Sequence, residues 1–374
     1  MSRTISTKIL LACGCMFFVA SSLSIAILYR NVGAALLAAG FIFVALFAIT
    51  NKIRSITVVF SSFAFALAIA EFALYSKPKV YHDPSSGYRR DYGRQTDIGS
   101  QANPGIHTSR LVTSDGEVIY DVIYSIGEDG FRVTPQSISK SKHVNFFGCS
   151  FTFGEGLNDN QTLPFYFEQI LDSYSSKNFG FHGYGAHQAL AILQSDRRTK
   201  GDINFFLTSP WHSLRSACKP AYTAGSPRYA LVGEQISYVG KCREGDLSLM
   251  RKIIQQANVF NLYEQTKNIS VATDDDFALY LAIVEKIYII SKERGQQFIV
   301  GFISAEENFF DGTSYSNKRI FDSLKERADQ LIDLTLADST ETLPREYYIH
   351  PLDKHPSAAA NKERARILAL LINP

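Results

Sequence analysis

Two short stretches, far apart in a chain of 374 residues, carry the side chains that could run acyl-transfer chemistry. Residues Val144–Leu157 read VNFFGCSFTFGEGL. The apolar residues read as the end of a buried strand, Gly148 permits a sharp bend, and Ser150 stands at that bend ahead of a predicted helix. A serine so placed projects its hydroxyl from the carboxyl edge of a sheet, with free backbone N–H groups close by. An acyl-transferring nucleophile needs this arrangement, because the attacking oxygen and the donors for the developing oxyanion must converge on one carbonyl. The second stretch, Tyr348–Ser357, reads YIHPLDKHPS. Here His355 is the candidate general base and Asp353 the carboxylate that would orient its ring and stabilise its charged form; His350 is the rival base.

The elements that must position these groups follow from the hydrophobic pattern. From His143 onward, strand and helix signals alternate. Val144–Phe147, Asn178–Phe181, Ile203–Thr208, Gln297–Ile303 and Leu331–Leu334 read as strands. Between them lie predicted helices: one opening at Thr162 and continuing through Tyr174, then Ala186–Leu193, Phe277–Lys292 and Arg319–Leu331. A last helical stretch covers Ala358–Ile372. Such alternation predicts an α/β fold with a parallel sheet covered by helices on both faces. Catalytic groups in that architecture gather at the carboxyl ends of strands, and Ser150, Gly183, His212 and His355 each follow a strand or lie in a terminal loop. Trp211–Asn268 reads as irregular, with a hairpin around Tyr229–Val239. Upstream, Lys77–Arg110 reads as a linker or irregular cover, Glu117–Tyr124 as a strand, and Ile126–Pro135 as a turn centred on Asp129-Gly130.

Gly148-Cys149-Ser150-Phe151-Thr152-Phe153-Gly154 resembles the first block, G-D-S-x-T-x-G, of the SGNH hydrolases, also called GDSL-type esterases and lipases, with cysteine in place of aspartate. The G-x-S-x-G elbow of α/β-hydrolases does not fit, since Thr152 stands at its second glycine. Asn178-Phe179-Gly180-Phe181-His182-Gly183-Tyr184-Gly185 resembles the second block, whose glycine donates a backbone N–H to the oxyanion; that role maps onto Gly183. Asp353-Lys354-His355-Pro356-Ser357 resembles the last block. The resemblance runs from about Glu128 to Asn373 and leaves the first third of the chain unaccounted for.

The chain departs from that pattern at two further places. The family usually sets its aspartate three residues before the histidine, where Leu352 stands; Asp353 is two before and reaches the ring only if the backbone is extended. The G-x-N-D block is absent, and Ser209-Pro210-Trp211-His212-Ser213-Leu214-Arg215 follows the third strand instead. His212 is the nearest replacement for the missing oxyanion-hole asparagine, a donor whose loss costs about 3 kcal/mol of transition-state stabilisation. Arg132 and Arg215 are candidate contacts for an anionic substrate group, set against plain structural roles on the surface.

The resemblance implies an SGNH-like (flavodoxin-like) three-layer domain and ester hydrolysis through a Ser-His(-Asp) acyl-enzyme. O-acetyl groups of cell-envelope glycans are the implied substrate class. An O-acyltransferase, a lysophospholipase and a thioesterase share the fold. A different class of reading is a degenerate module that binds glycan or a partner without turnover, since cysteine replaces aspartate, the acid is displaced and the asparagine is missing. No cofactor or metal is expected: the eight histidines are scattered and no CxxC occurs. The formal net charge is +2, and no basic cluster interleaved with aromatics points to nucleic acid.

Hydropathy divides the chain sharply. Ile9–Tyr29 is 21 residues without a charge and Val32–Thr50 is 19, while Ile56–Ala70 adds 15 before Glu71. Crossing a bilayer takes about 20 apolar residues. The expected organisation is a transmembrane region over 1–76, with helices near 9–29, 32–50 and 56–75, then a linker and small β element over 77–142, then the hydrolase-like domain over 143–374. Two further apolar segments argue against a cleaved signal peptide at Ile9–Tyr29. Arg3, Lys8, Lys52 and Arg54 fall on one side of the spans and Arg30 on the other, which predicts a cytoplasmic N-terminus. The large domain would then be periplasmic, on a bacterial inner membrane, acting on an acylated glycan or lipid. Three spans exceed what tethering requires and hint at a membrane-protein partner. Cys218 and Cys242 either pair as a disulfide in an oxidising compartment or remain thiols.

Overall fold

The computed structural model describes residues 19, 22, 36–42, 54–73, 80–83, 86–87, 93–135, 140–195, 200–233, 235–243, 272–337 and 344–372. They fall in two compact units, one within Met1–Lys77 and Gly245–Ile269, the other within Pro78–Glu244 and Ser270–Pro374.

In the first unit, helix α1 (Arg54–Ala73) reads RSITVVFSSFAFALAIAEFA. It buries the small Ala64 and Ala68, and Phe65 meets Phe41 edge-on at 5.3 Å between ring centres. Val59, Phe60, Phe63 and Ile69 are exposed. Among the described residues, no helix is long and apolar enough to cross a membrane. The expected transmembrane bundle therefore gains no support from the fold. Apart from residues 19, 22 and 36–42, the spans 9–29 and 32–50 lie outside the described residues, as does the end of the third span beyond Ala73.

The second unit opens with β1 (Val80–His82), a short ribbon of β2 (Arg94–Thr96) and β3 (Gly99–Gln101), and the hairpin β4 (Gly105–Thr113) and β5 (Val118–Ile126). The hairpin pairs antiparallel from Gly105↔Ile126 to Val112↔Val118, and β1 adds to the outer edge of β4. This corrects the expected irregular cover over 77–110. β4 has an alternating pattern, but His107 and Ser109 stand with Leu111 at its buried positions, so the hydrophobic signal is faint.

From β6 (Lys142–Phe147) onward the chain alternates as expected. Helices α2 (Ser150–Phe153) and α3 (Leu163–Ile170) lead to β7 (Tyr174–Asn178), and α4 (Ala186–Gln194) leads to β8 (Ile203–Thr208). Next come α5 (His212–Ser216), the hairpin β9 (Pro227–Val232) and β10 (Gln235–Lys241), and α6 (Asp274–Glu293). Strand β11 (Gln297–Phe302), helix α7 (Asn317–Lys325) and strand β12 (Gln330–Asp333) follow. The hairpin β13 (Tyr348–His350) and β14 (Asp353–Pro356) then hands over to α8 (Ala358–Ile372).

Five strands form one sheet in the order β12-β11-β8-β6-β7, with every neighbouring pair parallel. Successive side chains of a strand point to opposite faces, so each strand feeds two apolar layers. On one face Phe147, Phe206 and Val300 pack with Leu190 of α4 and Val284 of α6. On the other, Phe146, Phe205 and Ile299 pack with Phe167 of α3 and Leu368 of α8. The result is the three-layer α/β arrangement.

Local chemistry sets the element ends. Thr162 caps α3 by accepting from the Phe165 N–H, and Thr273 with Asp276 forms a capping box that starts α6. Helix α3 stops at Ile170, short of the expected Tyr174, and the strand expected at Asn178–Phe181 runs earlier. Strand β7 buries Ser175, Ser176 and Asn178. The buried Glu168 carboxylate accepts from both the backbone N–H and the hydroxyl of Ser176, at 3.0 and 2.9 Å, so this strand lacks the apolar pattern that would reveal it.

Candidate active site

Strand β6 delivers the chain to Gly148, whose φ is +154°. A Cβ there would lie 2.1 Å from Thr152 Oγ1 and 3.0 Å from the Leu207 carbonyl, so only glycine lets the strand turn directly into α2. Ser150 is the first residue of α2, where the N–H has no acceptor within the helix. Helix α2 ends after one turn at Gly154, in a left-handed conformation. Arg132 fixes that turn from below. Its Nη1 donates to the carbonyls of Phe153 and Gly154 at 2.9 and 2.7 Å, and its Nη2 donates to Leu157 O at 2.6 Å. Its Nε donates to Asp159 at 2.9 Å, and the guanidinium lies over the rings of Tyr124 and Phe153. Of the two readings of Arg132, a substrate contact or a structural role on the surface, the geometry matches a structural role, but a buried one: the side chain is wholly buried and pins the nucleophile's turn.

From the far end of the chain, β14 brings His355 to the same place. Its Nε2 lies 2.9 Å from Ser150 Oγ, and its Nδ1 lies 2.5 Å from Asp353 Oδ1. The same carboxylate oxygen accepts the backbone N–H of His355 at 3.0 Å. Residues two apart on an extended strand share a side, which is why the short spacing suffices. Leu352, at the usual place of the acid, is exposed. His350 is turned elsewhere: its Nδ1 accepts from the Leu352 N–H, and its Nε2 lies 3.6 Å from Glu117.

Glu155 was not singled out from the sequence. Its Oε2 lies 2.6 Å from His182 Nδ1 and 3.2 Å from His355 Nε2. Burial works against the charge of Glu155, yet the two imidazoles outweigh it and hold the carboxyl well below the usual range. Burial likewise pulls His355 down, but Glu155 and Asp353 override it and hold the imidazole well above its ordinary value of 6.5. The signal was present in the sequence: Glu155 is the one charged residue of VNFFGCSFTFGEGL, five positions beyond Ser150.

The remaining candidates frame the site. Gly183 has a φ of +71°, and a Cβ there would lie 2.9 Å from the Tyr222 ring. Arg215 braces the same loop, donating from Nη1 to Tyr184 O at 2.8 Å and from Nε to the Tyr222 hydroxyl at 3.2 Å. His212 is wholly buried beside Phe206, its Nδ1 2.9 Å from Thr208 Oγ1, which also meets the Tyr280 hydroxyl. Burial, then Arg215 and His187, push it well below the ordinary imidazole range. No hydrogen bond joins His212 to Ser150 or His355. Cys218 and Cys242, left open by the sequence, form a disulfide with 5.4 Å between their Cα atoms.

Beside the Ser150–His355 pair lies a cavity of about 570 Å³, at the carboxyl ends of β11 and β12. Phe151, Trp211, Tyr347, Tyr348 and Pro356 supply its apolar wall. Phe151 also stands edge-on to the His355 ring at 5.7 Å between centres. A hydroxyl, an imidazole and a carboxylate in this order can move a proton off the serine oxygen and return it to a leaving group.

No family model matches the chain, and no curated protein matches it. Among solved structures it is similar to a member of the lipolytic protein G-D-S-L family from Veillonella parvula DSM 2008, at 12% identity, over 62% of this chain and 97% of that one, with a TM-score of 0.35. It is also similar to TesA, at 11% identity over 62% and 99% of the two chains, with a TM-score of 0.38. The psychrotrophic esterase EstA from Pseudoalteromonas sp. is similar at 12% identity over 62% and 100%, with a TM-score of 0.35.

Proposed function

We propose that this chain is a serine ester hydrolase working through an acyl-enzyme, and the observation that carries the reading is the unbroken line Asp353–His355–Ser150. His355 Nε2 takes the hydroxyl proton as Ser150 Oγ bonds to the ester carbonyl carbon. The carbonyl oxygen becomes an oxyanion, received by the N–H groups of Ser150 and Gly183. Collapse of the intermediate breaks the bond to the alcohol oxygen, which leaves with the proton from His355. Water then repeats the sequence, with His355 as base, and frees the acid. Asp353 keeps the proton-bearing Nδ1 toward itself and stabilises the imidazolium.

The substrate is an O-acyl ester, and an O-acetyl group on an envelope glycan is our specific reading. The aromatic faces of Phe151, Trp211, Tyr347 and Tyr348 suit a sugar ring, and Lys354 and Glu306 at the rim of the cavity suit its hydroxyls. The disulfide favours an oxidising, extracytoplasmic setting. The uncharged runs 9–29, 32–50 and 56–70 and the exposed apolar residues of α1 favour attachment to a membrane. Release of acetate and of longer acids from matched p-nitrophenyl esters and from an O-acetylated glycan tests this. Acetate release fastest from the glycan is expected. A folded chain that releases no acid from any ester contradicts the hydrolase reading and leaves a binding module.

A further inference from the structure

The imidazole of His355 is approached on its outer nitrogen by two groups, and a hydrolase of this kind needs only one. Ser150 Oγ lies 2.9 Å from Nε2 and Glu155 Oε2 lies 3.2 Å from the same atom. Glu155 follows the left-handed Gly154, and its backbone N–H donates to Ser150 O at 3.0 Å, so its place beside the nucleophile is fixed by the same turn. His182, from the loop after β7, holds the carboxylate at 2.6 Å. We propose that Glu155, clamped by His182, is a positioning residue that competes with Ser150 for Nε2 of His355 and so sets the pH at which His355 becomes a base. The proposal rests on the hydrolase reading above.

When Nε2 carries a proton, its best acceptor is the carboxylate, and the ring is held between Asp353 and Glu155 with no lone pair for the serine. When that proton leaves, the bare lone pair faces a negative oxygen at Glu155 and a hydroxyl hydrogen at Ser150. The attraction to Ser150 then wins, and the nucleophile is armed. After Ser150 gives up its proton, the new Nε2–H again faces Glu155, which stabilises the imidazolium until the leaving oxygen takes the proton.

Among the described residues, few other charges act on this ring. Asp353 faces it from β14 and Glu155 from the end of α2, with His182 behind Glu155. From β5, Tyr124 and Tyr120 adjoin Glu155; burial raises both phenols, Tyr124 to about 12, so they stay neutral in the working range. Arg132 beneath them is tied to Asp159. Lys354 points outward to Glu306 at 3.8 Å.

The test is the pH dependence of kcat/KM for p-nitrophenyl acetate, read on the full chain beside an NMR titration of the His355 ring. Glu155→Gln is expected to move the acid limb to lower pH by about one pH unit or more. His182→Gln is expected to move it higher, because Glu155 then answers to one imidazole instead of two. A merely structural role would lower the rate at every pH, so an unmoved midpoint in Glu155→Gln, or a downward shift in His182→Gln, overturns the proposal. Should Glu155→Gln fail to fold, Asp353→Asn serves: Glu155 alone should still hold the His355 titration above 6.5, and a fall to 6.5 or below overturns the proposal. The NMR readings need no turnover. A chain that hydrolyses no ester therefore defeats the functional reading while the role of Glu155 is still decided.

Discussion

Two histidines at the carboxyl edge of the same sheet, His212 wholly buried and His355 half-buried, have opposite fates. His212 sits after β8 among Thr208, Phe206 and Tyr280, with Arg215 and His187 as its charged or chargeable neighbours. His187 itself is pushed down to about 3, by burial and then by Arg215, and neither of its ring nitrogens has a hydrogen-bond partner among the described residues. His355 sits between two carboxylates and beside a hydroxyl. Burial penalises the cation in both places, and only His355 has negative neighbours to reverse it. A histidine after a strand therefore says little until the carboxylates around it are counted. In this chain that count separates a ring of the supporting core from a candidate base.

The contrast can be broken at several points. Ser150→Ala or His355→Ala should cost about 10⁴-fold or more in kcat/KM toward p-nitrophenyl acetate, with the thermal midpoint of Ser150→Ala near that of the wild type. A similar loss in His212→Phe would erase the distinction. Asp353→Asn should cost about 10³- to 10⁴-fold, because the amide no longer selects the tautomer with its lone pair toward Ser150. Arg132→Ala removes a buried cation, leaves Asp159 without its ion-pair partner and takes a donor from three carbonyls, so chemical denaturation should show about 3–5 kcal/mol of lost stability. Arg132→Lys should not restore it, since one ammonium cannot reproduce the fork.

Smaller effects sharpen the contrast. With His355 held above 6.5, and a base needing to be neutral, wild-type kcat/KM should still be climbing past pH 6.5 in a pH-rate profile. Stability follows the same shifts. Glu155 is held down, so its contribution is present above the ordinary carboxyl value of 4.5 and is lost as pH falls. His355 is held up, so its contribution is present below 6.5 and is lost as pH rises through the raised value. Denaturation midpoints should therefore show the pair contributing most between pH 4.5 and 6.5. Last, His212→Phe should lose about 1 kcal/mol with its bond to Thr208, and kcat/KM should stay near wild type.

Much of this was legible in the sequence, for reasons that differ by element. Strands β6, β8 and β11 are buried on both faces, so their runs of apolar residues announced them, and α8 matched its expected range of Ala358–Ile372. Strands β4 and β7 escaped because polar side chains occupy their buried positions and find partners only in three dimensions, as Ser176 does on Glu168. Ser150 and His355 were readable because glycine, serine and the closing block leave marks along the chain, whereas Asp353, two residues before the histidine, depended on the extended backbone that β14 supplies. Glu155 left only its lone charge beside the nucleophile block and His182 left none, since their meeting depends on β7 lying beside β6 and on the turn at Gly154. Arg132 misled for the same reason: an arginine in a turn reads as exposed until the carbonyls it caps are seen around it.

The most direct test is to treat the folded chain with a fluorophosphonate and identify the modified residue by mass spectrometry. The account predicts a single adduct on Ser150, lost in Ser150→Ala and strongly slowed in His355→Ala. A folded wild-type chain that takes up no phosphonate, or takes it up equally without His355, would contradict it.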